Sequence, residues 1–122
     1  WATYLKDLDE KRFQAFSGLG WEADYPDPQD FLDILFHSES SLNHGNYKNL
    51  TADKLLEQAR IESDVKQRFS LYNEVEEIII QDAPWVPLWF TGERYALVKP
   101  YVKGYKFLPM IISKLKEVSI ES

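Results

Sequence analysis

The chain has 122 residues, enough for one domain with a hydrophobic core. Its hydrophobic content of 44% indicates a globular protein, and its net charge of −6 disfavours nucleic acid and anionic membranes as partners, because both require a basic surface. The lack of cysteine excludes disulfides and thiolate metal sites. No apolar run reaches the roughly 20 residues of a membrane-spanning helix.

An amphipathic helix is predicted at the start of the chain, over residues 1–11. Trp1, Leu5 and Leu8 have the spacing that places side chains on one helical face. The sequence opens on this helix without an initiator methionine or a signal peptide. We therefore expect the chain to be a piece of a longer protein, whose targeting signal would lie elsewhere.

The next elements are a strand and a helix joined by an acidic turn. Apolar side chains alternate over residues 13–21, which predicts the strand. In the turn, Asp27 is a candidate N-cap and Pro28 suits the first helical position. Asp30 complements the positive end of the helix dipole. These roles leave Asp24 as the acid of the turn without a structural task.

Two further helices are predicted after a long polar loop over residues 37–50. Thr51 is predicted to cap the first of them. Asp64 begins a sequence typical of a capping box, so it is predicted to cap the second. A stripe of apolar residues at helical spacing runs through this second helix, with Arg68 on the outer face, and the helix is predicted to end near Asp82.

The last part of the chain predicts extended structure. Strands are expected over residues 85–91, 93–98 and 115–121, and Val102 to Phe107 should be extended around a turn. An aromatic group is predicted to pack on a sheet face: Trp85, Trp89, Phe90 and Tyr95. The predicted order is α-β-α-α-α-β-β-β, a mixed α/β fold that forms a single domain over residues 1–122.

Asp24 is the most promising candidate for chemistry. It lies between the aromatic side chains of Trp21 and Tyr25, in a turn that Pro26 and Pro28 make stiff. A rigid turn that holds a carboxylate among aromatic rings is suited to a cationic group on a small ligand. The alternative is that Asp24 is an ordinary turn residue facing solvent.

Catalysis and metal binding have weaker support. Asp24, Asp27 and Asp30 lack the alternating acids and central glycine of a calcium loop, so no metal site is predicted. A hydrolase-like site or an interaction domain would need Asp24 to meet His37 or His44 in one pocket, and no nucleophile motif accompanies them. The motifs therefore give little support for catalysis, and the hydrolase-like site or interaction domain stays an alternative.

Several stretches together resemble the C-terminal part of the periplasmic oligopeptide- and dipeptide-binding proteins, the family 5 solute-binding subunits of ABC importers. The order and spacing of these stretches are specific when taken jointly, and they extend over almost the whole chain. They are residues 20–31, 46–47, 53–59, 68–72, 79–84, 86–88, 98–105 and 118–121.

The resemblance implies part of one lobe of a type II periplasmic-binding-protein fold, which closes on a peptide with a second lobe outside this chain. It implies that Asp24 pairs with the α-amino group of the peptide and that Trp21 lines the pocket. The implied partners are a peptide, the permease subunits and the remaining lobe of the full-length chain. No cofactor is implied.

The implied location is the periplasm or the cell exterior, with attachment to the envelope as in a lipoprotein. Since relatives of this fold also bind nickel complexes, haem or sugars, a non-peptide solute is the alternative ligand. Exposed sheet edges could also allow the isolated fragment to self-associate.

Overall fold

The computed structural model of the chain describes residues 1–90, 92, 95–108, 110 and 114–121. Within these residues, four helices precede two short strands. They are α1 (Ala2–Asp9), α2 (Gln29–Phe36), α3 (Leu50–Ile61), α4 (Val65–Asp82), β1 (Val102–Lys103) and β2 (Ser119–Ile120). The mixed, helix-rich character agrees with the sequence, whereas the predicted element order is not confirmed. None of the described helices is long and apolar enough to cross a membrane.

The hydrophobic core lies among the last three helices. Helix α3 packs along α4, and α2 lies against both of them. Their buried apolar side chains form one cluster: Leu35, Phe36, Ala52, Leu56, Ala59, Tyr72, Val75 and Ile79. Helix α1 is attached more loosely, since Leu8 is its one buried residue and no packing joins α1 to another described helix.

Side-chain caps fix where α3 and α4 begin. The Oδ1 of Asn49 accepts hydrogen bonds from the N–H groups of Thr51 (2.9 Å) and Ala52 (3.2 Å). The predicted cap at Thr51 is therefore wrong: Asn49 has the extended backbone of an N-cap, and Thr51 lies in the first turn. The predicted cap of α4 is confirmed, because the Oδ1 of Asp64 accepts from the N–H of Gln67 at 2.8 Å.

The end of α4 is also where the sequence predicts it, at Asp82. The following residue, Ala83, has φ 49° and ψ 47°, and its N–H donates to the carbonyl of Ile79. This left-handed conformation commonly ends helices, but it favours glycine because a Cβ is disfavoured there.

One buried amide organises the polar loop between α2 and α3. The Nδ2 of Asn43 donates to the carbonyl oxygens of His37 (3.2 Å) and Tyr47 (2.8 Å), and its Oδ1 accepts from the N–H of Tyr47 (3.0 Å). The hydroxyl of Tyr47 donates to Asp82 at 2.6 Å, which ties the loop to the end of α4. The loop is thus an ordered part of the helical unit.

The strand predicted over residues 13–21 is not formed. These residues have no regular secondary structure and make no backbone hydrogen bond to another described segment. A strand is stabilised by pairing with another strand, and no described strand pairs with this segment. The hydroxyl of Tyr4 donates to the carbonyl of Ser17 at 2.7 Å, which joins the segment to α1.

The C-terminal strands are also much reduced. Residues 85–90 and 95–98 have no regular structure, while residues 91, 93 and 94 of the predicted strands lie outside the described residues. Of the predicted strand over residues 115–121, only β2 forms, antiparallel to β1 with Val102 opposite Ile120.

A glycine is required at the turn that follows β1. Gly104 has φ 73°, and a Cβ there would lie 2.1 Å from the carbonyl oxygen of Glu117.

The predicted packing of the aromatic group on a sheet face is wrong for all four members. Trp89, Phe90 and Tyr95 are exposed, Phe90 by 97% of its surface. Trp85 is half-buried, and its ring lies 4.9 Å from that of Phe36 in the helical core. The difference follows from the missing strands, since a sheet face exists only where strands pair.

Candidate functional site

The turn that precedes α2 is anchored to the buried start of that helix. The backbone N–H of Asp24 donates to Oδ2 of Asp30 at 2.9 Å, and Asp30 is fully buried in the first turn of α2. Trp21, at the beginning of the turn, is half-buried and packs against the core cluster. Two contacts with the helical unit therefore fix the turn on the side of Trp21 and Asp24.

The other side of the turn is tied to α4 through Asp27. Its Oδ1 accepts from the N–H of Gln29, the first residue of α2, at 2.9 Å, and from Nη2 of Arg68 at 2.5 Å. The predicted cap is one residue off, because the N-cap position of α2 is Pro28 rather than Asp27, and Pro28 is therefore not the first helical residue. The hydrogen bond from Arg68 holds the pKa of the Asp27 carboxyl below its ordinary value, although partial burial opposes this effect. The Arg68 guanidinium also lies 5.0 Å from the centre of the Tyr72 ring.

Arg68 was expected on the outer face of its helix, and this expectation is wrong. Its side chain is only 23% exposed, because it reaches across to Asp27, 41 residues earlier in the chain. No local pattern reveals such a pair. The ion pair joins the turn to the longest helix of the unit.

Between these two anchors the turn presents the Asp24 carboxylate to solvent. Asp24 is exposed, and its carboxylate makes no hydrogen bond or ion pair with any described residue. The indole N–H of Trp21 is buried and has no acceptor among the described residues either. A buried donor without a partner is costly, by about 1–3 kcal/mol. The turn therefore offers one carboxylate and one indole N–H for further interactions.

The two histidines of the hydrolase-like alternative lie near the carboxylates of acids other than Asp24, without a hydrogen bond to them. The Nε2 of buried His37 lies 3.5 Å from Oε1 of Glu57, and Nδ1 of His44 lies 3.8 Å from Oδ1 of Asp9. Neither imidazole forms a hydrogen bond or an ion pair with Asp24 within the described chain. No group of three metal-binding side chains occurs among the residues that the structure describes.

A polar cleft of about 360 Å³ lies beside α2 and α3, and Gln29, the residue that follows the turn, is part of its lining. Asp33, His37, Ser40 and Arg60 are among its lining residues, whereas Trp21 and Asp24 are not. The buried Asp33 carboxylate pairs with Arg60 through two contacts of 2.6 Å. Because these opposite charges compensate each other, Asp33 and Arg60 form a structural ion pair where α2 meets α3.

Comparisons with known proteins identify the chain. No protein-family model matches it. It is 38% identical to the dipeptide-binding protein DppE of Bacillus subtilis over 85% of its own length, and 40% identical to the probable deoxycholate-binding periplasmic protein YgiS of Escherichia coli over 86%. It matches the structure of DppA from Helicobacter pylori in complex with the peptide STSA with a TM-score of 0.75 and 31% identity.

The chain belongs to the family of periplasmic oligopeptide- and dipeptide-binding proteins. The resemblance found in the sequence is thereby confirmed, and members of this family are binding proteins rather than enzymes. The chain covers 19% of DppE, 19% of YgiS and 24% of DppA, whereas all of the chain is covered in the match with DppA. It thus spans about a fifth of the length of the curated relatives it matches.

Within this segment, sequence reasoning selected Trp21 and Asp24, and the structure brings both into one anchored turn. Their roles in ligand binding remain predictions. Sequence reasoning missed two supports of the turn, Asp30 and Arg68. Asp30 was missed because its interaction with the helix dipole seemed to explain it. Arg68 was missed because its partner, Asp27, is remote in sequence.

Proposed function

We propose that the chain is part of the solute-binding subunit of an ABC importer and forms one side of a peptide-binding site. The observation that carries this proposal is the Asp24 carboxylate, which is exposed and has no partner among the described residues, in a turn anchored on both sides. The α-amino group of a peptide is the cation that would pair with it. The match with DppA, whose structure contains a peptide, supports this assignment.

Closure of a second lobe over the turn would strengthen the pairing. Excluding water lowers the effective dielectric constant around the carboxylate and the ammonium, so their attraction increases. Trp21 would line the pocket, with its buried N–H donating to an acceptor on the peptide or on the other lobe. An aromatic face near the ammonium adds a modest cation–π attraction.

The remaining partners follow from the same proposal. Residues 1–122 form one domain, the C-terminal portion of a longer two-lobed protein, and close against the rest of their own full-length chain. The assembled subunit delivers its ligand to permease subunits. It acts in the periplasm or at the cell exterior, attached to the envelope, and performs no chemical reaction on the ligand.

A second candidate is a subunit that binds a non-peptide solute. The observation that favours it is the 40% identity to YgiS, which is named as a probable deoxycholate-binding protein. An anionic bile acid offers no cation to Asp24. The two candidates therefore differ in whether Asp24 is essential for binding.

Calorimetry on the full-length protein that contains this segment tests the proposal. Asp24→Asn should weaken binding of the unblocked peptide Ser-Thr-Ser-Ala by about 2–5 kcal/mol, since it leaves the ammonium without its charged partner. The N-acetylated peptide should bind weakly to both forms. Glu74→Gln, which removes an exposed acid from the outer face of α4, is the matched control and should change neither affinity.

Equal affinity of the native protein for the unblocked and the acetylated peptide would overturn the role of Asp24. Binding of deoxycholate, with no binding of unblocked peptides of two to five residues, would replace the peptide proposal by the second candidate.

A further inference from the structure

Asp30 is more deeply buried than its position at a helix start requires. Acids in the first turn of a helix complement the dipole from an exposed position, where they remain hydrated. Asp30 instead has 0% exposure. Burying a carboxylate is costly unless a specific interaction compensates, so Asp30 needs an explanation beyond the dipole.

The comparison with Asp33, one turn later in α2, isolates what is particular to Asp30. Both carboxylates are buried. Asp33 is compensated by the Arg60 guanidinium through two contacts of 2.6 Å. Asp30 has no cationic partner in the described chain, and its Oδ1 has no hydrogen bond there. Its Oδ2 receives the backbone N–H of Asp24, at 2.9 Å.

This contact acts on the main chain at the residue that carries the proposed ligand-binding group. The positions of the backbone N and Cα set the direction of the Cα–Cβ bond, so a fixed N–H restricts where the Asp24 side chain can point. Pro26 restricts the following part of the turn. Asp27 holds its far side through Arg68. Asp30 is therefore the contact that fixes the near side, at Asp24 itself.

We propose that Asp30 is a positioning residue, which aims the Asp24 carboxylate at the ligand ammonium by holding the Asp24 N–H. The inference rests on the proposed function. The required property of Asp30 is a hydrogen-bond acceptor at the position of Oδ2, and its negative charge is not required. Asparagine keeps an acceptor of the same reach, whereas glutamate keeps the charge and moves the acceptor by one methylene group.

The test uses the full-length protein and measures the ratio of the dissociation constants of N-acetylated and unblocked Ser-Thr-Ser-Ala. Asp30→Asn should keep most of the native ratio. Asp30→Glu should lower it roughly 10- to 100-fold, the range expected when a charged hydrogen-bonding partner is misplaced. Asp33→Asn is the control: it weakens the ion pair with Arg60 and lowers Tm, but it should leave the ratio unchanged.

The ratio separates positioning from a merely structural role, because general destabilisation lowers Tm without changing which peptide is preferred. If Asp30→Glu does not fold, Asp30→Ala replaces it, with the same expected loss. If Asp30→Glu keeps the native ratio and Asp30→Asn loses it, the negative charge of residue 30 is what matters. That result would overturn positioning through the hydrogen bond. So would a ratio that neither variant changes.

Failure of this inference can be distinguished from failure of the proposed function. If the native protein does not discriminate between the two peptides, the role of Asp24 fails and the inference fails with it. In a second case, the native protein prefers the unblocked peptide and Asp24→Asn abolishes this preference. If Asp30→Glu then leaves the ratio unchanged, only the role of Asp30 is overturned.

Discussion

The helices α2 to α4 share a cluster of buried apolar side chains, whereas none of the described residues between 84 and 121 is fully buried. Each of these helices buries its apolar face against the others, and Leu56 at their centre is completely buried. The later segment leaves large side chains in solvent, including Phe90 and Leu97, which are at least 97% exposed. Its regular structure among the described residues is one pair of two-residue strands.

This difference shows which parts of the fold are determined locally. A helix satisfies its backbone hydrogen bonds internally, so caps and an apolar face are enough to define it and to dock it on a neighbour. An extended segment needs a partner strand for the same purpose. The exposed apolar side chains of the later segment also underlie the predicted self-association of the isolated fragment, which stays a prediction.

The largest expected difference in stability between the two regions comes from truncating one leucine in each of them. Leu56→Ala should lower the free energy of unfolding of the 122-residue chain by about 2–5 kcal/mol, because it leaves a cavity in the core. Leu88→Ala should change it by less than about 0.5 kcal/mol, because Leu88 is 70% exposed. Urea unfolding followed by circular dichroism measures both. Equal losses would contradict the division of the chain into these two regions.

An intermediate effect is expected on the free energy of unfolding at acidic pH, through the ion pair of Asp27 with Arg68. Pairing with Arg68 lowers the pKa of Asp27 below the 3.8 expected for the unfolded chain, so the folded chain binds fewer protons near that pH. The stabilisation is present above pH 3.8 and is lost as the pH falls through the lower folded pKa. Arg68→Met should cost about 1–2 kcal/mol at neutral pH, between the values of exposed and buried pairs, and should flatten this decline.

The matched control for acid sensitivity lies in the other region. Lys106 pairs with Glu117 at 2.8 Å, but both side chains are about two-thirds or more exposed. Lys106→Met should therefore leave the stability and its pH dependence almost unchanged. Urea unfolding between pH 3 and pH 7 compares the two variants, and identical curves would refute the role of the Asp27 pair.

The smallest effect is expected at the boundary between the two regions. Ala83 has the left-handed backbone that favours glycine, so Ala83→Gly should raise the free energy of unfolding by about 0.5–1 kcal/mol. The same substitution at Ala59, inside α3, should lower it by about 1 kcal/mol or more. Thermal unfolding detects both changes. A loss of stability in Ala83→Gly would contradict the described end of α4.

The sequence predicted the helices well because their signals are local. The acceptor of Asp64 lies three residues before the N–H that it caps, and the end of α4 at Asp82 follows from the pattern within that helix. The choice between Asn49 and Thr51 as cap of α3 failed because both side chains can accept a hydrogen bond. Only the backbone conformation separates them.

The strands and the supports of the candidate site could not be predicted in the same way. Alternating apolar residues at 13–21 and 115–121 indicate strands only if a partner is available, and the sequence does not specify the partner. Asp24 was selected because its neighbours had other roles. The contact of Asp27 with Arg68 spans 41 residues, and only the packing of α4 against α2 brings the two together.

The anchored turn over residues 21–28 has a thermodynamic consequence for any ligand that reaches it. Its two prolines, its contact with Asp30 and its ion pair with Arg68 order the backbone during folding. The loss of conformational entropy therefore occurs before the ligand arrives and does not oppose binding. A ligand that binds here would therefore have to offset desolvation, but not the ordering of this loop.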